Sequence, residues 1–215
     1  ARILLAVSGG ADSIALLHIM WTLISKGILP IDLICVHINH QLRGAASNSD
    51  EAFVVEQAAK LKLPCITRNI DVSTWARTQK LSIETAGRQR RLACLAEVAQ
   101  AHDCAWIATG HQQDDNAETV LHRLRRGTGF RGLAGIWPYR PLGDGPRLAR
   151  PLLGCTRAEI VAYLQRRHLR WREARSNADC VYTRNYIRHR LLPHLQSECA
   201  GPLTAELADL AASAQ

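Results

Sequence analysis

Within six consecutive residues, Ser8-Gly9-Gly10-Ala11-Asp12-Ser13, the chain brings together two glycines, two hydroxyls and a carboxylate. Glycine lets a backbone approach a ligand closely, so a turn of this composition can aim several N–H groups at phosphate oxygens. Ser8 and Ser13 add hydroxyls, and Asp12 can hold a Mg2+ that offsets the charge of a triphosphate. The lysine of G-x-x-x-x-G-K-[ST] is missing, which disfavours a P-loop of the kinase or ATPase kind. A second group lies in Thr109-Gly110-His111-Gln112-Gln113-Asp114-Asp115-Asn116-Ala117-Glu118-Thr119. Asp115 and Glu118 are three apart and Asp114 and Glu118 four apart, a spacing that gathers carboxylates on one side of a helix. Such acids can bind Mg2+ or take up a proton; the ordinary alternative is helix capping by Asp114 and Asp115. Accompanied by the first turn, the chemical reading is the stronger one.

Two further groups gain meaning only beside these. In His37-Ile38-Asn39-His40-Gln41-Leu42-Arg43, Asn39 and His40 can hydrogen-bond a base or ribose and Arg43 can reach a phosphate. The two histidines lack the further ligands that a metal site would need. In Glu84-Thr85-Ala86-Gly87-Arg88-Gln89-Arg90-Arg91, Arg88 and Arg91 stand one helical turn apart and can grip phosphate, while Glu84 can cap the helix or recognise an amine.

The elements that must carry these groups follow from hydrophobic pattern. Ile3–Val7 is a short apolar run followed by the glycine turn and then by helical apolar spacing from Ile14 to Leu23, which predicts strand, tight loop, helix. Strands over Ile31–Ile38, Pro64–Ile70 and Ala105–Thr109 alternate with helices over Asp50–Leu61, Ile83–Ala101 and Asp114–Leu124. That alternation predicts an α/β fold, a doubly wound parallel sheet with helices on both faces, followed by a smaller helical region. Ligands bind beyond the carboxyl ends of such strands. From Gly127 to Pro146 glycines and prolines punctuate what reads as a long irregular loop. Thr156 and Glu159 then stand at capping-box spacing before a helix through Arg167, and another helix is expected over about 183–192, stopped by Pro193. The expected division is a nucleotide-binding domain over 1–135, its Arg-rich end over 136–195, and a helical linker over 196–215. The chain opens in a strand without Met and ends in helix-like sequence, as a fragment of a longer protein would.

Composition narrows the class. The chain has 215 residues, 47% of them hydrophobic, and net charge +8, and no apolar run approaches the ~20 residues a membrane span requires. A cytoplasmic protein is expected. Seven scattered cysteines without a C-x-x-C pair argue against a disulfide framework or zinc site. Residues 123–190 hold sixteen arginines, no lysine and four acids. Guanidinium groups match phosphate oxygens in bidentate geometry, so a nucleic acid is the expected partner, against the bland alternative of a solubilising surface.

Together these motifs resemble the N-type ATP pyrophosphatase (PP-loop) superfamily and, within it, the tRNA(Ile)-lysidine synthetase family. The S-G-G-x-D-S turn marks the superfamily. The narrower resemblance rests on Val36–Arg43, Glu84–Arg91, Ala108–Thr119 with Leu124-Arg125-Arg126-Gly127-Thr128-Gly129, Arg150-Pro151-Leu152-Leu153, and Tyr182–Arg188, in family order through about residue 195. It implies a ligase that adenylates the wobble cytidine of isoleucine tRNA with ATP and Mg2+, then joins L-lysine to carbon-2, releasing AMP and pyrophosphate. By the same resemblance Ser8, Gly9, Gly10, Ala11, Asp12 and Ser13 bind ATP, with His37, Asn39, Gly110 and His111 as further contacts. Asp12 and Asp115 are implied Mg2+ ligands, and Asp12, Asp114, Asp115, Glu118 and Arg88 the catalytic set. Arg126, Arg131, Arg184 and Arg188 are implied tRNA contacts, and a homodimer is compatible with the pattern. Departures from the family's usual residues fall at Gln112, Asn116, Ala174-Arg175 and Tyr186, outside the phosphate turn and the acids. Two alternatives stand beside this reading: a tRNA thiolase using the same turn, which the unpaired cysteines weaken, and a non-catalytic tRNA- and nucleotide-binding module, which would not need clustered acids.

Overall fold

A computed structural model describes residues 1–41, 44–173 and 183–215; Arg43, Ala174, Arg175, Cys180 and Tyr182 lie outside the described residues. Two compact units divide the chain, the first formed by Ala1–Gly110 with Tyr139–Ala149, the second by His111–Pro138 with Arg150–Gln215.

In the first unit the expected alternation is present: β1 (Arg2–Ala6), α1 (Ala11–Ser25), β2 (Asp32–Asn39), α2 (Ala45–Lys60), β3 (Cys65–Asn69), α3 (Val72–Gln79), α4 (Ile83–Ala101) and β4 (Trp106–Ala108). Strand order across the six-stranded sheet is β3-β2-β1-β4-β6-β5, completed by β5 (Tyr139–Pro141) and β6 (Arg147–Ala149). The sheet is parallel from β3 through β6, and β5 pairs antiparallel at the edge. α1 and α2 step the chain in one direction across the sheet, whereas α3 and α4 carry it back over β2 and β1 to β4. Right-handed crossovers therefore put the two helix pairs on opposite faces. On one face Leu4, Ile34, Val36, Ile107 and Leu148 pack with Val72, Ala76, Ala86, Leu95 and Val98 from α3 and α4. The pleat turns Leu5, Leu33 and Cys35 to the other face, where they are also buried. Each fully buried Leu or Ile in this core contributes ~1.5–3 kcal/mol.

In the first unit α2 begins at Ala45, five residues before the expected Asp50, and two further features depart from the sequence expectation. α3 was absent from it: Val72-Ser-Thr-Trp-Ala-Arg-Thr-Gln is rich in weak helix formers, and the helix is started by the Asp71 carboxylate accepting from the Thr74 N–H at 2.9 Å. That bond holds the Asp71 carboxyl below the usual carboxylate range. The stretch from Gly127 to Pro146 read as an irregular loop contains a four-residue helix over Phe130–Leu133 and β5, and β6 follows it directly; both strands are three residues long, too short to show alternation, and Pro141 is tolerated because β5 is an edge strand.

The second unit is helical: α5 (Gln113–Arg125), α6 (Phe130–Leu133), α7 (Arg157–Arg166), α8 (Thr183–Tyr186), a π-helical turn (Ile187–Leu191), α9 (Leu192–Glu198) and α10 (Leu203–Ser213). α10 packs on α5 through Ala117, Val120, Leu207 and Ala211. Thr156 caps α7 in the expected capping box with Glu159. Pro193 does not stop the preceding helix: it occupies the first turn of α9, where a missing N–H costs least.

Candidate functional site

In the first unit, reversal of strand order places the switch point between β1 and β4, whose following turns share one sheet edge. Those turns are the glycine turn and Thr109-Gly110. Gly9 has φ +90, a conformation side chains rarely adopt, and the turn is fastened by its own hydroxyls. Ser13 Oγ donates to the Gly10 carbonyl at 2.9 Å and accepts from the Ser8 N–H at 3.2 Å. Its hydrogen being committed there, the 3.1 Å contact between the two hydroxyls is a donation by Ser8, whose oxygen accepts from the Gly10 N–H at 3.4 Å. No side chain among the described residues caps α1, which begins with Gly10 as its N-cap and Asp12 in its first turn. The helix therefore presents first-turn N–H groups and its positive dipole end, as an anion site does. Gly110 lies against this turn: a Cβ there would sit 2.9 Å from the Asp12 carbonyl carbon and 3.0 Å from the Ser13 nitrogen.

His37 and Asn39 project from β2 and are buried. His37 Nδ1 lies 2.9 Å from the Val7 carbonyl, which can only accept, so Nδ1 carries a proton and donates to it, and Nε2 is the ring atom left to meet a ligand. Asn39 donates to Asn48 at 3.1 Å and Glu51 at 2.9 Å and accepts from the Gln41 N–H, contacts that brace α2 against the end of β2. On α4 Arg88 is exposed, and its neighbour Arg90 stacks over Trp75 at 5.1 Å, so part of this basic run serves packing.

In the second unit the acids stand at the start of α5. The helix is capped by Gln112, whose side chain accepts from the Asp114 N–H at 2.6 Å while Asp115 Oδ2 accepts from the Gln112 N–H at 3.2 Å. In the sequence Gln112 stands out only as a departure from the family's usual residue; Gln followed three residues later by Asp is not the Ser/Thr-to-Glu/Gln pattern that signals a capping box, so nothing local marked it as the cap. Asp114 Oδ2 accepts from the Arg157 N–H at 2.9 Å, joining α5 to the start of α7. Glu118 is 2% exposed. Arg184 Nε donates to it at 2.9 Å and Arg188 Nε at 2.5 Å, and both guanidiniums also reach Asp115 Oδ1, at 3.1 and 3.0 Å. Two carboxylates and two arginines thus form a neutral tetrad, the arrangement a buried carboxylate requires. About a third of each arginine remains exposed, 33% and 35%. Arg126 and Arg131 stand exposed on the loop after α5, and His111 is partly buried.

Metal chemistry must suit these contacts. Among the described residues no group of three or more His, Cys, Asp or Glu could hold a metal ion. Mg2+ does not need one, since it commonly takes one or two carboxylates together with phosphate oxygens and water. Asp12, in the phosphate turn, fits that mode. Asp115 does not in this arrangement, because one oxygen accepts from Gln112 and the other from two guanidiniums.

A family model described as PP-loop domain matches residues 1–195. The chain is 46% identical over 194 residues to a tRNA(Ile)-lysidine synthase of Geobacter sulfurreducens, covering 90% of this chain and 40% of that protein. It is 42% identical over 205 residues to the tRNA(Ile)-lysidine synthase of Chlorobaculum tepidum, covering 95% of this chain and 60% of the relative. The chain thus spans about half the length of the curated relatives it matches. Among solved structures it resembles the U34-tRNA thiolase NcsA from Methanococcus maripaludis, at TM-score 0.80 and 16% identity over 99% of this chain and 70% of that one. It also resembles an NH3-dependent NAD synthetase from Campylobacter jejuni, at TM-score 0.51 and 14% identity over 100% of this chain and 85% of that one. At these identities the structural likeness speaks to fold.

Proposed function

This chain belongs to the PP-loop family, and on that premise we propose that it adenylates the wobble cytidine of isoleucine tRNA with ATP and then joins lysine to carbon-2 of the base. The observation that carries the proposal is a glycine-lined, hydroxyl-fastened phosphate turn at the switch point of a chain whose curated relatives are lysidine synthases. In the first step the oxygen on carbon-2 attacks the α-phosphorus of ATP and the bond to the β-phosphate bridge breaks. Pyrophosphate leaves with that electron pair, its charge received by the first-turn N–H groups of α1 that the glycine turn presents. Mg2+, held by Asp12 with phosphate oxygens, would supply further charge neutralisation there. In the second step the lysine amine attacks carbon-2, AMP departs with the carbon–oxygen bond pair, and the nitrogen gives up a proton. Among the described residues Asp114 accepts through Oδ2 alone, so Asp114 is our choice for that proton. Asp115 and Glu118 act through the arginine tetrad that orients the start of α5. Gly110, His37, Arg88 and His111 are proposed as nucleotide or lysine contacts. Asn39 is assigned to bracing.

A thiolase reading shares this fold with NcsA, and five of the cysteines count against it. Sulfur transfer needs reactive thiolates. Burial pushes the Cys35 thiol up to about 12, and burial likewise raises Cys65, Cys94, Cys104 and Cys155.

Incubation of the protein with ATP, Mg2+, radiolabelled lysine and isoleucine tRNA tests the proposal: label should enter the tRNA, with one AMP released per lysine joined. No incorporation by the intact protein would overturn it. Asp12→Ala should abolish lysine-dependent AMP release while its circular dichroism and melting stay unchanged, and normal turnover by that variant would remove Asp12 from the metal role.

A further inference from the structure

We propose that Phe130 is a stacking platform for an unpaired RNA base, held out on a rigid, arginine-bearing loop at the end of α5. The inference rests on the tRNA-modifying reading above and adds to it the side chain that would hold a splayed nucleotide. Phe130 is 70% exposed, the most exposed of the large hydrophobic side chains among the described residues. Its neighbour on the same short helix, Leu133, turns inward and packs with α5 and α10. α6 thus has its core anchor without Phe130, and the ring is not needed for packing.

The loop that presents it is built to hold its shape. Arg123 Nη1 donates to the Gly132 carbonyl at 2.9 Å and closes the base of the projection. Within it the Gly127 N–H bonds the Leu124 carbonyl at 3.0 Å and the Gly132 N–H bonds the Gly129 carbonyl at 2.9 Å. Gly127 has φ +71, and a Cβ on Gly132 would fall 1.6 Å from the Thr128 hydroxyl, so two glycines are required by geometry. A ring on such a frame loses little freedom when it binds.

Charge selects the partner. Arg125, Arg126 and Arg131 lie within five residues of Phe130 in the chain, all exposed, and no acid occurs in the sequence between Glu118 and Asp144. A single exposed Phe is unremarkable by itself. An exposed Phe in a chain segment that carries exposed arginines and no acid combines the two contacts that unpaired RNA uses, a π-face for a base and guanidiniums for the adjoining phosphates. A paired duplex keeps its bases stacked inside and offers the ring no face.

The test uses an RNA stem–loop of the isoleucine tRNA anticodon arm with 2-aminopurine in the loop, and a fully paired duplex of equal length. The intact protein should quench the 2-aminopurine and bind the stem–loop more tightly than the duplex. Phe130→Leu should abolish the quench and weaken stem–loop binding about ten-fold, with duplex binding and melting temperature unchanged, while Phe130→Tyr restores both. Arg126→Ala with Arg131→Ala should instead flatten the salt dependence of binding, which Phe130→Leu leaves alone. Unchanged quenching and affinity in Phe130→Leu would overturn the platform and leave the ring to a protein contact. If Phe130 controls stem–loop binding but no lysine enters tRNA, the platform stands and the lysine-joining reading falls; lysine joining with Phe130→Leu unaltered in binding gives the reverse.

Discussion

At the scale of single residues, the arginine tetrad separates two roles that a run of acids can play. Asp114, Asp115 and Glu118 are equivalent as a pattern, yet Glu118 is buried and receives two guanidiniums, Asp115 serves both the capping box and the arginines, and Asp114 joins α7 through one oxygen. Removing the Glu118 charge leaves Arg184 and Arg188 with reduced compensation beside a buried amide. We expect Glu118→Gln to destabilise the protein by about 2–4 kcal/mol, less than a wholly buried pair would cost because the arginines are partly in water. A urea midpoint unchanged from the parent protein would show that the tetrad adds no stability. The acids and arginines are all evident in the sequence; their pairing across about seventy positions is not, since nothing local specifies which guanidinium meets which carboxylate.

At the scale of elements, the proposed site centres on the pair of turns after β1 and β4. These strands are neighbours in the sheet although most of the first unit lies between them in sequence, and their adjacency brings Gly110 against the backbone of Asp12 and Ser13. A methyl group at 110 meets backbone atoms rather than a side chain that could swing away. Gly110→Ala should therefore displace the phosphate turn and raise the KM for ATP about ten-fold, with tRNA affinity retained. An unchanged KM would mean that the two turns adjust independently. The Thr156–Glu159 box on α7 has a different consequence: hydrogen bonds from Thr156 hold the Glu159 carboxyl below its usual range. Its contribution is present above the unfolded carboxylate range and is lost as pH falls through the lowered native value, so frayed α7 signals should emerge on acidification and be absent from Glu159→Gln across the same range.

At the scale of the whole molecule, charge and connectivity decide. The surplus of positive charge lies in residues 123–190, and tRNA affinity should fall linearly with the logarithm of salt concentration, each phosphate contact adding roughly 0.7–0.9 to the slope. Binding insensitive to salt would remove phosphate contact from that segment. The sequence alone determined the parts whose signals are local: the strand–turn–helix around Ser8–Ser13, the α/β alternation, the α4 and α7 boundaries, and the family motifs. Periodicity and capping act over a few residues, so they are legible one window at a time. Tertiary structure decided what depends on partners far along the chain. β6 is a strand because β4 offers it an edge and β5 because β6 does, Pro193 is accommodated because a π-helical turn leads into α9, and Asn39 is engaged with Asn48 and Glu51. Hydrogen bonds and ion pairs between distant residues are chosen by where the fold places them, and that choice exists only once the chain has closed on itself.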